Sequence, residues 1–148
     1  MPFLSDNCTF RAFGEDLVES ALNFDCENDD LNGFFREDCL NYLAELLGKT
    51  YCFTLNEEPD RIVSFFTVSN DSVKASLMPS GAKNRLRKRV PREKHMASYP
   101  AVMIGRLGVD REFRKLGIGQ EMMGLIKYWF YDSNNKTGCR FVLVDSYN

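Results

Sequence analysis

The sequence has one histidine, one tryptophan and five prolines in 148 residues. With His95 as the sole imidazole, a multi-histidine metal centre is excluded. The five cysteines, Cys8, Cys26, Cys39, Cys52 and Cys139, are odd in number and widely spaced, with no C-x-x-C pair. They read as reduced thiols rather than a disulfide framework or a zinc site, and no metal is expected. No stretch approaches the ~18 consecutive apolar residues of a membrane span. The N-terminus, with Asp6 early and no basic segment before an apolar run, does not read as a signal peptide. A cytoplasmic chain without a membrane partner is the expectation. No G-x-x-x-x-G-K-[ST] occurs, and the third glycine of a G-x-G-x-x-G would fall on Met122, so ATP and dinucleotide readings are poor.

What the chain does have is enough apolar material for a real core, 44% hydrophobic and 13% aromatic, in a length that suits one domain over residues 1–148. Its net charge of −2 conceals a division. Residues 1–60 hold 14 Asp/Glu against 3 Lys/Arg, whereas residues 61–148 hold 7 against 16. A basic half invites a polyanionic partner, although the two halves could also complement each other.

Residues 99–120, YPAVMIGRLGVDREFRKLGIGQ, organise the rest. An apolar run continues through Leu107, Gly108 and Val109, then at Asp110 gives way to a basic, glycine-punctuated turn. After Gly119, apolar residues Met122, Met123, Leu125, Ile126, Trp129 and Phe130 recur at three- and four-residue steps, the spacing of a helix. The first N–H groups of a helix lack intrahelical partners and sit at the positive end of its dipole. Gly117 and Gly119 would let an anion approach that backbone, with Arg114 and Lys115 adding charge. A glycine-rich turn before a helix is also a common structural device.

Upstream, Cys8–Phe13 alternates as a first strand, and residues 16–22 suit a short helix. Residues 25–30 supply caps and first-turn acids to a helix carrying Leu31, Phe34, Phe35, Cys39, Tyr42, Leu43, Leu46 and Leu47, expected to end at Gly48. Residues 50–55 and 61–68 are β-branched and aromatic around a turn, and predict a hairpin. Residues 69–78 suit a short helical turn. Residues 81–95 read as a basic loop: Lys83, Arg85, Arg87, Lys88, Arg89, Arg92 and Lys94 stand against Glu93 alone between 83 and 94. Such a run is either a solvated surface or a seat for an RNA phosphate backbone.

Arg114-x-x-Gly117-x-Gly119, after a strand ending Leu107-Gly108-Val109, resembles the acetyl-CoA-binding motif of the GNAT superfamily of N-acetyltransferases. Val142-Leu143-Val144 followed by Asn148 resembles the family's next strand and its asparagine. Phe24-Asp25-Cys26 before an amphipathic helix, a basic loop, then Tyr-Pro and Gly-Arg-Leu-Gly-Val-Asp at 105–110 resemble one branch, the GNAT toxins of bacterial toxin–antitoxin pairs.

This resemblance implies a mixed α/β fold with a mostly antiparallel central sheet flanked by helices. It implies acetyl-CoA as cofactor, lying against Leu107, Gly108 and Val109 in a gap between splayed strands. Its pyrophosphate would lie on the backbone around Arg114, Lys115, Leu116, Gly117, Gly119 and Gln120, with Asn148 nearby. From Ala101 to Val109 there is no Asp, Glu or His to act as base. A lysine amine near pKa ~10.4 would arrive protonated, whereas an α-amine near ~7.7–8.0 is partly neutral already. That favours aminoacyl-tRNA, the acceptor the toxin branch implies, with Lys83, Arg85, Arg87, Lys88, Arg89 and Arg92 contacting tRNA phosphates. The branch also implies a homodimer and a ribbon-helix-helix antitoxin. The family's general-acid tyrosine lies in a Phe-Tyr-x-x-x-Gly-Phe context beyond the Asn148 position, so no catalytic residue is assigned. The sequence reading expects a domain truncated at its C-terminal end, lacking the last helix and strands, or completed by a partner. A GNAT enzyme for small-molecule or protein amines and a non-catalytic acetyl-CoA-binding module remain the alternatives.

Overall fold

Consecutive side chains on a strand point to opposite faces of a sheet. Phe65 and Phe66, both fully buried, therefore enter two different cores. A computed structural model of the chain describes residues 2–89, 97–132, 134–135 and 137–144, with residues 86 and 87 described by backbone alone. Among these, five strands form one sheet in chain order: β1 (Cys8–Ala12), β2 (Lys49–Leu55), β3 (Ile62–Lys74), β4 (Ser98–Val109) and β5 (Phe141–Val144). The first four pair antiparallel, and β5 runs parallel to β4. The expected mixed, mostly antiparallel sheet flanked by helices is what forms.

One face of the sheet is covered by α1 (Phe3–Asn7) and α6 (Ile118–Tyr131). Ile118, Met122 and Ile126, four residues apart, give α6 a buried stripe that packs with Leu4, Phe53, Val63, Phe66 and Ile104. The sequence reading had no α1. It is held by Glu121, whose carboxylate accepts the Leu4 and Ser5 N–H groups at 2.7 and 2.9 Å.

The other face carries α2 (Val18–Ala21) and the helical run of α3 (Asp29–Gly33), a π turn (Phe34–Asp38) and α4 (Cys39–Ala44). Asn28 caps α3 by accepting the Leu31 N–H at 3.1 Å. Phe24, Phe35 and Phe65 form the centre of this core, with the Phe35 and Phe65 rings stacked at 4.2 Å.

Three local expectations are corrected. The helix expected to reach Gly48 stops at Ala44, because Leu46 takes a left-handed φ of 60°. Residues 69–74 extend β3, which pairs with β4 as far as Lys74↔Ser98, and the helical turn is confined to Ala75–Leu77. The basic segment is not a loop where it is described: Ser80–Arg89 is a helix, α5, built from strong helix formers such as Ala82, Lys83, Arg85, Lys88 and Arg89. Arg92, Lys94, His95 and Asn148 lie outside the described residues, as does the side chain of Arg87.

Candidate functional site

β4 is longer than the strand beside it. β5 pairs only with Ala101–Ile104 among the described residues, which leaves the outer edge of Gly105–Val109 without a neighbour. On its inner edge β4 carries a bulge: Thr67 pairs with Arg106 and Val68 with Ile104, so Gly105 is the extra residue. Beyond the bulge the free edge presents strand-like hydrogen-bonding groups, the arrangement in which an extended amide-bearing molecule can lie.

At Val109 the chain turns. Asp110 is almost fully buried and caps the Arg111–Phe113 turn by accepting the Glu112 N–H at 3.0 Å. Lys115 and Gly117 both adopt left-handed φ, 65° and 72°, and α6 starts at Ile118 with Gly117 as its N-cap. The first helical bond is made by the Glu121 N–H to the Gly117 carbonyl at 3.0 Å. The N–H groups of Ile118, Gly119 and Gln120 thus have no partner among the described residues, at the positive end of a fourteen-residue helix. A Cβ built on Gly119 would meet nothing within 4 Å. Protein packing therefore does not demand glycine there, and the space its missing side chain leaves is open to a ligand.

The opposite wall comes from the other end of the chain. Asp110 Oδ2 accepts the Asp25 N–H at 3.1 Å, and the Arg111 N–H reaches the Asp25 carbonyl at 2.8 Å. Asn32, buried, accepts from Cys26 N and Cys26 Sγ at 3.0 and 3.2 Å and donates to Asp25 Oδ1 at 3.0 Å. Arg114 pairs with Glu27 at 2.8 Å and donates to the Cys26 carbonyl. Between the walls lies a cleft of about 560 Å³ lined by Leu107, Gly108, Val109, Arg114 and Gly119 from one side. Cys26, Glu27, Asn28 and Leu31 line the other, with Met123 and Val144 completing it.

The structure therefore gathers five of the sequence-derived cofactor residues on one cleft. Lys115, Leu116, Gly117 and Gln120 shape the turn and helix start without lining it. Arg114 differs from expectation, since its guanidinium fastens the two walls together rather than standing free as a charge for phosphate. Cys26, Asn28, Leu31 and Asp110 were not anticipated as site residues. Asn28 is visible in the sequence only as a cap, and Asp110 only as the start of the basic turn and the end of the Gly-Arg-Leu-Gly-Val-Asp motif.

Burial pushes the Cys26 thiol above its ordinary pKa. Cys39 and Cys52 are likewise pushed up by burial, to about 11 and about 12. The Asp25 carboxyl is held below its usual value, first by the Glu27 N–H and then by the Asn32 amide. No cluster of three or more His, Cys, Asp or Glu able to hold a metal occurs among the described residues. No described helix is long and apolar enough to cross a membrane.

No family model matches the chain. Its architecture matches the crystal structure of a tyrosine-to-phenylalanine mutant of KacT, with a TM-score of 0.78 and 19% identity over 96% of this chain and 79% of that one. It matches AtaT complexed with acetyl-methionyl-tRNAfMet at a TM-score of 0.78 and 19% identity, over 95% of this chain and 79% of that one. The chain has the GNAT-like fold of these toxins. AtaTR bound with acetyl-CoA matches at a TM-score of 0.73 and 20% identity, over 97% of this chain and 79% of that one. At such identities the likeness is one of fold.

Proposed function

We propose that the chain binds acetyl-CoA in the cleft beside β4 and acts as a toxin-type N-acetyltransferase on the α-amine of aminoacyl-tRNA, which blocks translation. The observation that carries this reading is the meeting, in one cleft, of the β4 edge at Leu107–Val109 and the start of α6 at Gly119, the strand edge and the helix's first N–H groups both without partners among the described residues. The residues present fit the cofactor. The strand edge suits the amides of a pantetheine arm, the helix start suits a pyrophosphate, and the vacant Cβ position of Gly119 admits it closely. When bound, acetyl-CoA supplies a thioester whose acetyl carbon an amine can attack, with the N–C bond forming as the C–S bond breaks.

The chain's own residues orient and exclude. Leu107, Val109 and Met123 give the cleft apolar walls, and the Cys26–Leu31 wall covers it from the other face. Cys26, kept as a neutral thiol by burial, brings no competing thiolate. Between Ala101 and Val109 no side chain can take a proton from a protonated amine. With no base on that strand, the site favours an amine that arrives neutral, which an α-amine does far more readily than a lysine.

AtaT is known in complex with acetyl-methionyl-tRNAfMet and with the C-terminus of its antitoxin AtaR, and AtaTR with acetyl-CoA. By that likeness, the partners proposed here are acetyl-CoA, charged tRNA, a ribbon-helix-helix antitoxin and a second copy of the chain, in the cytoplasm. Lys83, Arg85, Lys88 and Arg89 on α5 are the described residues proposed to meet tRNA phosphates. The test is transfer from labelled acetyl-CoA to a pool of charged tRNA. Label on the aminoacyl α-amine supports the reading; label on polyamines or protein lysines only, or cofactor binding without transfer to any amine, overturns it.

A further inference from the structure

Three arginines from two separate segments meet at one pocket. Arg85 and Arg89, four residues apart and therefore on one face of α5, and Arg140, immediately before β5, line a cavity of about 260 Å³ whose remaining walls are Met78, Ala82 and Phe141. No acid lines it, and none of the three arginines has an ion-pair partner among the described residues. Arg140 is fixed in place by its own backbone, whose N–H donates to the Pro100 carbonyl at 2.9 Å, and Phe141 pairs with Ala101 of β4. Guanidinium groups crowded without carboxylates are costly unless an anion joins them, and their planar forks match the oxygens of a phosphate.

The pocket's position along β4 specifies which phosphate. It sits beside Ala101, and the bulge at Gly105 is four residues further along the same strand, about 13 Å at the rise of an extended chain. In a nucleoside acylated at its 3′ oxygen by an amino acid, the α-nitrogen and the nucleoside's own 5′ phosphorus are eight covalent bonds apart, roughly 10 Å when extended. The difference of about 3 Å is less than the length of an arginine side chain, so an anion held by the Arg140 guanidinium can bring the amine up to the bulge. We propose that Arg85, Arg89 and Arg140 hold the phosphate 5′ to the terminal nucleoside of an aminoacylated RNA 3′ end. This site rests on the tRNA reading above and makes it specific, with Arg140, not part of the basic run, as the residue that joins β5 to acceptor binding. Phe141, half-buried with its ring edge-on to Tyr99, gives the terminal sugar an apolar floor.

The experiment measures binding by fluorescence anisotropy, with the full chain and two short RNA probes ending in CCA. One carries a normal phosphodiester before the terminal adenosine, and the other a neutral methylphosphonate there. Wild type should prefer the charged probe about tenfold or more, the worth of a charge-assisted contact. R140A and R85A/R89A should lose that preference, and R140K should keep part of it. Acetyl-CoA affinity of every variant should stay at the wild-type level, which also certifies folding. The proposal is overturned if neither probe binds, if R140A retains the full preference, or if R140A weakens acetyl-CoA rather than RNA. Transfer to charged tRNA by a wild type that shows no preference between the probes would sink this site and leave the tRNA reading standing. Arginine-dependent preference without transfer would sink that reading and leave the anion site.

Discussion

Asp110 Oδ2 accepts the backbone N–H of Asp25 at 3.1 Å, joining two residues 85 positions apart and with them the two walls of the cleft. Its other oxygen accepts from Arg61 and from the Glu112 N–H, both at 3.0 Å. D110A would leave the Asp25 and Glu112 N–H groups without their acceptor and take one of two carboxylates from Arg61. The cost expected is on the order of 2–3 kcal/mol, below that of a fully enclosed pair because Arg61 keeps Glu112 and some solvent. Urea denaturation reads the stability. Acetyl-CoA affinity should fall as well, since the Cys26–Leu31 wall loses its anchor, and an unchanged affinity would separate the walls.

Gly108 is glycine for a reason internal to the protein. A Cβ there would lie 2.8 Å from Phe65 Cε1 and 3.4 Å from Cys26 Sγ, and Phe65 is itself packed on Phe35 and Phe24. The ring has nowhere to go. G108A should therefore destabilise by about 1–3 kcal/mol through overpacking. F65L in the same chain should recover part of the loss, which thermal melts of the single and double variants would reveal.

The cleft was half legible in the sequence. Glycine punctuation and helical periodicity are local signals, so β4, the turn and α6 could be read from residues 99–130 alone. The facing wall is long-range: nothing near Cys26 or Asn28 in the chain announces Gly108 or Arg114. Arg114 illustrates the same limit, because its partner Glu27 is 87 residues away and its charge looked free. For α5, charge density outweighed helix propensity in the reading, whereas in the structure the helix formers Ala82, Lys83 and the run 85–89 decided the matter. Arg140 carried no signal at all, since an isolated arginine before a strand means nothing until a helix is laid beside it.

Lys115 adopts a left-handed φ of 65° without glycine's freedom, at a cost of about 1 kcal/mol. K115G should remove that strain, offset in part by greater freedom in the unfolded chain, and should leave the melting temperature level or raised by a few degrees. If lysine is kept there for charge at the cleft mouth, acetyl-CoA affinity falls in the same variant. Calorimetric melting and binding titration on one preparation distinguish strain from charge.

The Asp25 carboxyl, held below its usual 3.8 by the Glu27 N–H and the Asn32 amide, makes the cleft wall acid-sensitive. A lowered folded-state value means the carboxylate's contribution is present above the unfolded value and disappears as pH falls through the folded one. Wild type should thus lose stability relative to D25N only below about pH 4, and the two should differ by a constant amount at neutral pH. Thermal melts of both proteins from neutral pH downward check the sign. A wild-type advantage over D25N that grows as pH falls contradicts it.

Cys26 offers a chemical report on the cleft. Its thiol, raised by burial, is protonated at neutral pH, so alkylation by iodoacetamide should be slow there and accelerate as pH rises. Cys52, pushed up to about 12 and fully buried, should react later still. Saturating acetyl-CoA should protect Cys26 and leave the alkylation of Cys139 unchanged, as followed by peptide mass spectrometry. Equal protection of both, or of neither, would place the cofactor elsewhere.

Gly119 separates the ligand's demand for glycine from the fold's. With nothing within 4 Å of its missing Cβ, G119V should fold and melt within about 1 kcal/mol of wild type, the helix-propensity penalty of a β-branched residue being offset by the loss of glycine's own. The same side chain would stand in the cleft beside the N–H groups of α6 that have no partner among the described residues, where a pyrophosphate has to approach the backbone. Acetyl-CoA affinity should therefore drop by tenfold or more, about 1.4 kcal/mol, with stability intact. Isothermal titration on a variant first shown to melt normally is the measurement. Retained affinity would mean that no phosphate sits at the start of α6, and the cofactor reading of the cleft would fall with it.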